Sequence, residues 1–225
     1  MKGLILKDLY TVRFQMIAGS LFMLLPNLAS FIMGDVHSIS TADNISTLLM
    51  VMLYGLLNFT NICLFSSFIL NTLSSDVSSG WVNIQRTFPV SGNVIIGAKL
   101  AASGIIVGGL TLISLAFNLA AAFLFGLSIE MMISIPLCIG VYQMIVLTPL
   151  FPIAMKIGAR FTGVLYIVTE TVVLGLMIWL LISVLNSGAD IVLLRSLFYG
   201  GLPCLAVLCG ILSYRSGKKA VLSVN

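Results

Sequence analysis

The chain has 225 residues, of which 60% are apolar and only 8% charged, and its mean hydropathy is +1.17. Soluble domains average about 25% charged residues, so the exterior of this protein cannot be covered with groups that water solvates, and a soluble catalytic domain is excluded. A bilayer core takes about 20 apolar helical residues per crossing, which gives this length room for about six crossings and short loops.

Six apolar segments follow in chain order, at 14–34, 48–73, 101–125, 131–155, 163–185 and 196–214. The expected fold is an all-α polytopic membrane protein, a single transmembrane domain over 1–225. The first segment starts late and lacks a small-residue cleavage pattern, so no cleaved signal peptide is expected. Lys and Arg fix the orientation, because loops on the cytoplasmic side retain positive charge. Lys2, Lys7, Arg13, Arg86, Lys99, Lys156, Arg160, Arg215, Lys218 and Lys219 share one side of a six-span arrangement. Arg195 lies on the other with Asp35, Asp43, Glu130 and Asp190. Both termini are therefore expected in the cytoplasm. The net charge of +4 reads as a topology signal, and no basic domain or aromatic platform points to nucleic acid.

The opening stretch, 1–13, is amphipathic. Ile5, Leu9, Val12 and Met16 recur at helical spacing, with Lys7, Asp8, Thr11 and Gln15 on the other face, as in a helix lying in the membrane interface. Such a helix enters the first span at an angle; a plain extension of that span is the alternative.

The loop over 74–99 is the longest polar stretch. Within it Val77, Trp81, Ile84 and Phe88 fall at i, i+4, i+7 and i+11 until Pro89 ends the pattern. Asp76 stands where it suits the N-terminus of this short helix. The apolar stripe can dock on the membrane underside or in a cleft of a soluble partner.

Several constellations are weak. Gly92, Gly97, Ala98 and Lys99 imitate a phosphate-binding loop but carry one extra residue and no Ser or Thr after the Lys. Cys63, Cys138, Cys204 and Cys209 sit in apolar runs without metal-site spacing and read as buried thiols. His37, the one histidine, falls in a polar loop. Neither a His-Glu-x-x-His motif nor a pair of intramembrane aspartates is present, so no enzyme chemistry is expected.

Other positions mark helices that face protein. Asn58, Thr60, Asn61, Ser66, Ser67 and Asn71 give the second span more hydrogen-bonding groups than a lipid surface tolerates, so it lines an interface or a path. Pro136, Pro149 and Pro152 around Gln143 are expected to bend the fourth span. Gly104 and Gly108 permit close helix approach in the third. Glu170, within the fifth span, either pairs with Lys156 or Arg160 or snorkels, or else serves a path, the arrangement an ion-coupled carrier would use.

The opening Met1-Lys2-Gly3-Leu4-Ile5-Leu6-Lys7-Asp8-Leu9-Tyr10, together with Asp76, Trp81, Phe88-Pro89, Val90-Ser91 and Val94-Ile95-Ile96-Gly97-Ala98-Lys99, resembles the ATP-binding-cassette (ABC) type 2 permeases, in their short six-span form. Ser78, Ser79, Gly80 and Gly92 depart from the charged residues usual around that loop. The resemblance implies a permease subunit of an ATP-driven exporter in a bacterial cytoplasmic membrane, without a nucleotide site or metal of its own. Two soluble ATPase subunits would bind ATP and Mg and grip a coupling helix over 76–88. Asp76, Val77, Trp81, Ile84, Phe88 and Pro89 would form that contact, and a second permease copy or a homologous permease would complete the path. Asn58, Asn61, Gln143 and Glu170 are the candidate path residues. Amphipathic peptides, antimicrobial or cytolytic, are the expected cargo; drugs, lipids and an ion-coupled carrier are the alternatives.

Overall fold

The computed structural model describes residues 2–32, 44–79, 92–157, 161–186 and 197–222. Every regular element among them is helical: α1 (Lys2–Ile32), α2 (Asn44–Phe59), a π-helical turn (Thr60–Leu64), α3 (Phe65–Ser78), α4 (Gly92–Phe125), α5 (Ile129–Ile157), α6 (Thr162–Asn186), a second π-helical turn (Leu197–Gly201) and α7 (Leu202–Leu222). Among the described residues, three stretches are long and apolar enough to cross a membrane: Met52–Thr72, Val94–Leu124 and Ile129–Ala154.

Burial follows the pattern expected of a protein solvated by lipid. Asn58, Asn61, Ser103, Ser114, Asn118 and Gln143 are fully buried, whereas Ile167, Val172, Val207 and Leu208 are exposed. In water this distribution would be costly at both ends. Against hydrocarbon it places each hydrogen-bonding group where another can meet it.

Three sequence expectations change. The amphipathic opening and the first apolar segment, expected to meet at an angle, form one unbroken helix, α1. The third apolar segment, expected from 101, begins nine residues earlier, since α4 starts at Gly92 and takes in Gly97, Ala98 and Lys99 of the expected loop. Pro136, Pro149 and Pro152 all fall within α5, which runs without interruption from Ile129 to Ile157. Of the cysteines, Cys63 is buried, Cys138 and Cys209 are half-buried and Cys204 is exposed, all four as free thiols. His37 lies outside the described residues.

The chain divides into two compact units. Unit 1 comprises 1–11, 69–104 and 141–225. Its core gathers Ile69, Leu70, Ile96, Ala102, Leu147 and Phe151. Gly217 sits so close to Ile96 that a Cβ there would lie 2.7 Å from Ile96 Cδ1. Tyr142 Oη donates to the carbonyl of Glu170 at 3.0 Å, and Gln143 Nε2 donates to Tyr166 Oη at 3.2 Å, joining α5 to α6.

Unit 2 comprises 12–68 and 105–140. Tyr54, Ala121, Ala122, Leu127 and Met132 form an apolar cluster with Ile135 against it. Gly126, at φ +65°, ends α4 in the left-handed conformation that glycine adopts without steric penalty. The Leu127 N–H then donates back to the Ala122 carbonyl at 3.1 Å, the closing bond of a Schellman turn. Gly108, which with Gly104 is expected to permit close helix approach, has open space where a Cβ would stand. Close approaches in this unit occur at Gly19, Gly109 and Gly140, the loosest being Gly109, whose Cβ would lie 3.3 Å from the flexible end of Met16.

Candidate functional site

Unit 1 holds a buried cluster of charge at the base of the segment 80–91. Asp8 comes from the second turn of α1, Asp76 from the last turn of α3, and Lys99 from the second turn of α4. Lys99 Nζ donates to Asp8 Oδ1 at 2.8 Å, to Asp76 Oδ2 at 2.7 Å and to Thr72 Oγ1 at 3.3 Å. These bonds use all the donors an ammonium has. Lys7 pairs with the other oxygen of Asp76, so one carboxylate bridges two lysines.

Asp8 is 2% exposed, Asp76 5% and Lys99 4%. The formal charges cancel, two carboxylates against two ammoniums. Burial raises the Asp8 carboxyl above its ordinary value of 3.8, and the Lys99 charge and hydrogen bond oppose that rise without cancelling it. Desolvating each ion costs several kcal/mol, recovered only when partners and geometry are in place. Such a cluster is therefore a positioning device: it fixes the relative placement of the three helix ends that supply it.

The cluster corrects two expectations. Asp8, placed with Lys7, Thr11 and Gln15 on a polar outer face, is instead buried and ion-paired. Asp76, expected to open a loop helix, lies near the C-terminal end of α3. Val77 belongs to that same last turn. Trp81, Ile84, Phe88 and Pro89 lie outside the described residues, so the coupling helix expected over 76–88 is described only through Ser79. No group of three or more His, Cys, Asp or Glu among the described residues could hold a metal ion.

The four residues read as candidates for a path divide between the two units. In unit 2, Asn58 Nδ2 donates to Asn118 Oδ1 at 3.0 Å, and Asn61 Nδ2 to Ser114 Oγ at 2.8 Å, binding α2 and the π-helical turn to α4. Asn118 Nδ2 continues to the Met132 carbonyl of α5 at 2.9 Å. Both asparagines are buried and tied to other helices of the same chain. The π-helical turn begins beside this ladder, and there the Phe65 N–H is shared between the carbonyls of Asn61 and Ile62. In unit 1, Gln143 and Glu170 belong to the α5–α6 bonds given above, and a pairing of Glu170 with Lys156 or Arg160 falls on side chains outside the described residues.

No family model matches the chain, and neither a curated protein nor a solved structure matches it.

Proposed function

We propose that this chain is the membrane-spanning permease subunit of an ATP-driven exporter of the ABC type 2 kind, with six spans and both termini on the cytoplasmic side of a bacterial membrane. The observation that carries the reading is the placement of the charge cluster. The segment 80–91 leaves α3 just after Asp76 and rejoins the chain just before the helix of Lys99, and those two residues are held 2.7 Å apart. A push on a segment anchored in this way is delivered to α3 and α4 together, and through Asp8 and Lys7 to α1. Rigid helices that share a buried, fully bonded joint move as a body, which is what coupling to a separate motor requires.

In this reading a pair of soluble ATPases binds ATP and Mg and engages Val77, Trp81, Ile84, Phe88 and Pro89. A second permease completes the path, and amphipathic peptides are the cargo. The chain itself performs no hydrolysis. Co-purification with a cognate ATPase, followed by peptide-stimulated ATP hydrolysis in proteoliposomes, tests the assignment. Stimulation that Trp81→Ala or Val77→Asp abolishes, with membrane insertion intact, is the expected result. Uptake driven by an ion gradient, with neither ATP nor partner present, would overturn it in favour of a secondary carrier.

A further inference from the structure

The second span keeps its buried face aligned through an irregularity in the helix. Tyr54, Asn58, Ile62 and Ser66 stand four residues apart, and all are fully buried. A regular α-helix turns such a series by about 40° at each step, about 120° in all, which would carry Ser66 away from the face that Tyr54 occupies. The π-helical turn Thr60–Leu64 takes up this drift, because it fits more residues into a turn. It also buries three consecutive residues, Asn61, Ile62 and Cys63, where an α-helix would send one of them outward. The helix therefore carries one residue beyond what its buried face needs. With Leu64, 53% exposed, left out, Asn58, Asn61, Ile62 and Ser66 would fall at i, i+3, i+4 and i+7, the stripe of an unbroken α-helix.

A surplus residue in a helix can travel, since each step exchanges one local set of backbone bonds for another. In hydrocarbon no water covers a carbonyl between partners, so travel needs side-chain donors along the way. The sequence supplies them. Thr60 Oγ1 donates to the Leu56 carbonyl at 2.9 Å, Ser66 Oγ to that of Cys63 at 3.3 Å and Ser67 Oγ to that of Leu64 at 2.6 Å. The Phe65 N–H is already divided between two carbonyls, those of Asn61 and Ile62. On the N-terminal side Asn58 is pinned to Asn118 at 3.0 Å, which leaves Phe65 to Phe68 as the open direction.

We infer that the π-helical turn is a moving joint, whose surplus residue passes from 60–64 into 65–68 and back during transport. Each residue it passes takes the place of the next, turning by about 100° and shifting by about 1.5 Å. Phe65 then enters the buried place of Ser66, so the inward face of the second span exchanges a hydroxyl for an aromatic ring while the Asn58 rung stays in place. The joint deepens the exporter reading and rests on it for the push that moves the turn.

The test compares the wild type with a deletion of Leu64 and, as control, a deletion of Leu56, which is 65% exposed but lies in the regular helix α2. Removing a surplus residue should leave the melting temperature in mild detergent close to that of the wild type. Removing Leu56 should lower it, because Tyr54 turns out of its cluster with Ala121 and Met132. In the purified full chain, the amides of 60–68 are expected to exchange hydrogen about tenfold faster than those of 52–58, and deletion of Leu64 to abolish the difference. With the ATPase in proteoliposomes and an amphipathic helical peptide as probe, that deletion should cut stimulated hydrolysis several-fold and leave basal hydrolysis unchanged. Uniform exchange across 52–68 in the wild type, equal destabilisation by the two deletions, or full stimulation without Leu64 would overturn the joint. A wild type that the peptide fails to stimulate counts against the exporter reading, and exchange and melting still decide the joint.

Discussion

Lys99 and Asp8 stand 91 positions apart in the chain and meet through a 2.8 Å hydrogen bond between almost fully buried groups. Lys99 also holds Asp76 at 2.7 Å, so its removal strands two carboxylates. Lys99→Met is expected to destabilise the protein by about 3–5 kcal/mol, the cost of leaving buried charge uncompensated. Adding Asp8→Asn should recover part of that loss, because one of the stranded charges is then gone. Melting in mild detergent checks both, and a double variant no more stable than Lys99→Met would contradict the pairing.

The same carboxyl gives a pH signature of definite sign. Asp8 titrates above 3.8 in the folded chain because burial disfavours its anion. Between 3.8 and the raised value the folded state therefore binds more proton than the unfolded state, and stability falls as pH rises. The contribution is full below 3.8 and lost once pH passes the raised value. Asp8→Asn removes it. Melting temperatures from about pH 4 upward should fall more steeply for the wild type than for the variant, and parallel profiles would refute the assignment.

The charge cluster was half legible in the sequence. Asp76 and Lys99 stood out as the flanks of the polar loop, but Asp8 was assigned outward, because helical periodicity sorts residues by hydropathy and a buried ion counts as polar either way. Only the ion's partner reveals its burial, and that partner is 91 residues distant. The helices themselves were legible from the apolar runs. Their ends were not, since α4 continues to Gly92 through Lys99 by spending that lysine's charge on Asp8 and Asp76. The polar residues of the second span were read as facing an interface or path; their partners Ser114 and Asn118, in an otherwise apolar run, carry no signal of their own.

Asn58 and Asn118 give a measurable coupling. Interhelical hydrogen bonds of this kind in membrane proteins average about 0.6 kcal/mol and reach about 1.7 kcal/mol. Asn118 also donates to the Met132 carbonyl, so Asn118→Leu should cost more than Asn58→Leu. A double-mutant cycle on the two positions is expected to return a coupling within that range. Strict additivity would mean that the amides do not bond.

Glycines separate close packing from mere helix content. A Cβ at Gly19 would lie 2.8 Å from Asn61 Oδ1, 3.1 Å from Phe65 Cγ and 3.2 Å from Leu110 Cδ2. Gly19→Ala is therefore expected to destabilise unit 2 by about 1–3 kcal/mol through overpacking. Gly55, in α2, has nothing within 4 Å of such a Cβ, so Gly55→Ala should be neutral or stabilising by up to about 1 kcal/mol. Thermal unfolding of the two variants side by side is the check, and equal effects would contradict the packing at Gly19.

Lys7 distinguishes the cluster's mechanical role from its contribution to stability. Its side chain is 37% exposed, whereas that of its partner Asp76 is 7% exposed, and Asp76 retains Lys99 when Lys7 is lost. A partly exposed pair of this kind is worth about 1 kcal/mol or less, so Lys7→Ala should melt close to the wild type. It removes one of the two lysine links that join α1 to the residues flanking 80–91. If that joint transmits motion from a motor to α1, Lys7→Ala lowers peptide-stimulated ATP hydrolysis in proteoliposomes several-fold while the basal hydrolysis of the ATPase stays unchanged. Full stimulation in this variant, with Trp81→Ala inactive, would confine force transfer to α3 and α4 and leave α1 outside the coupling path.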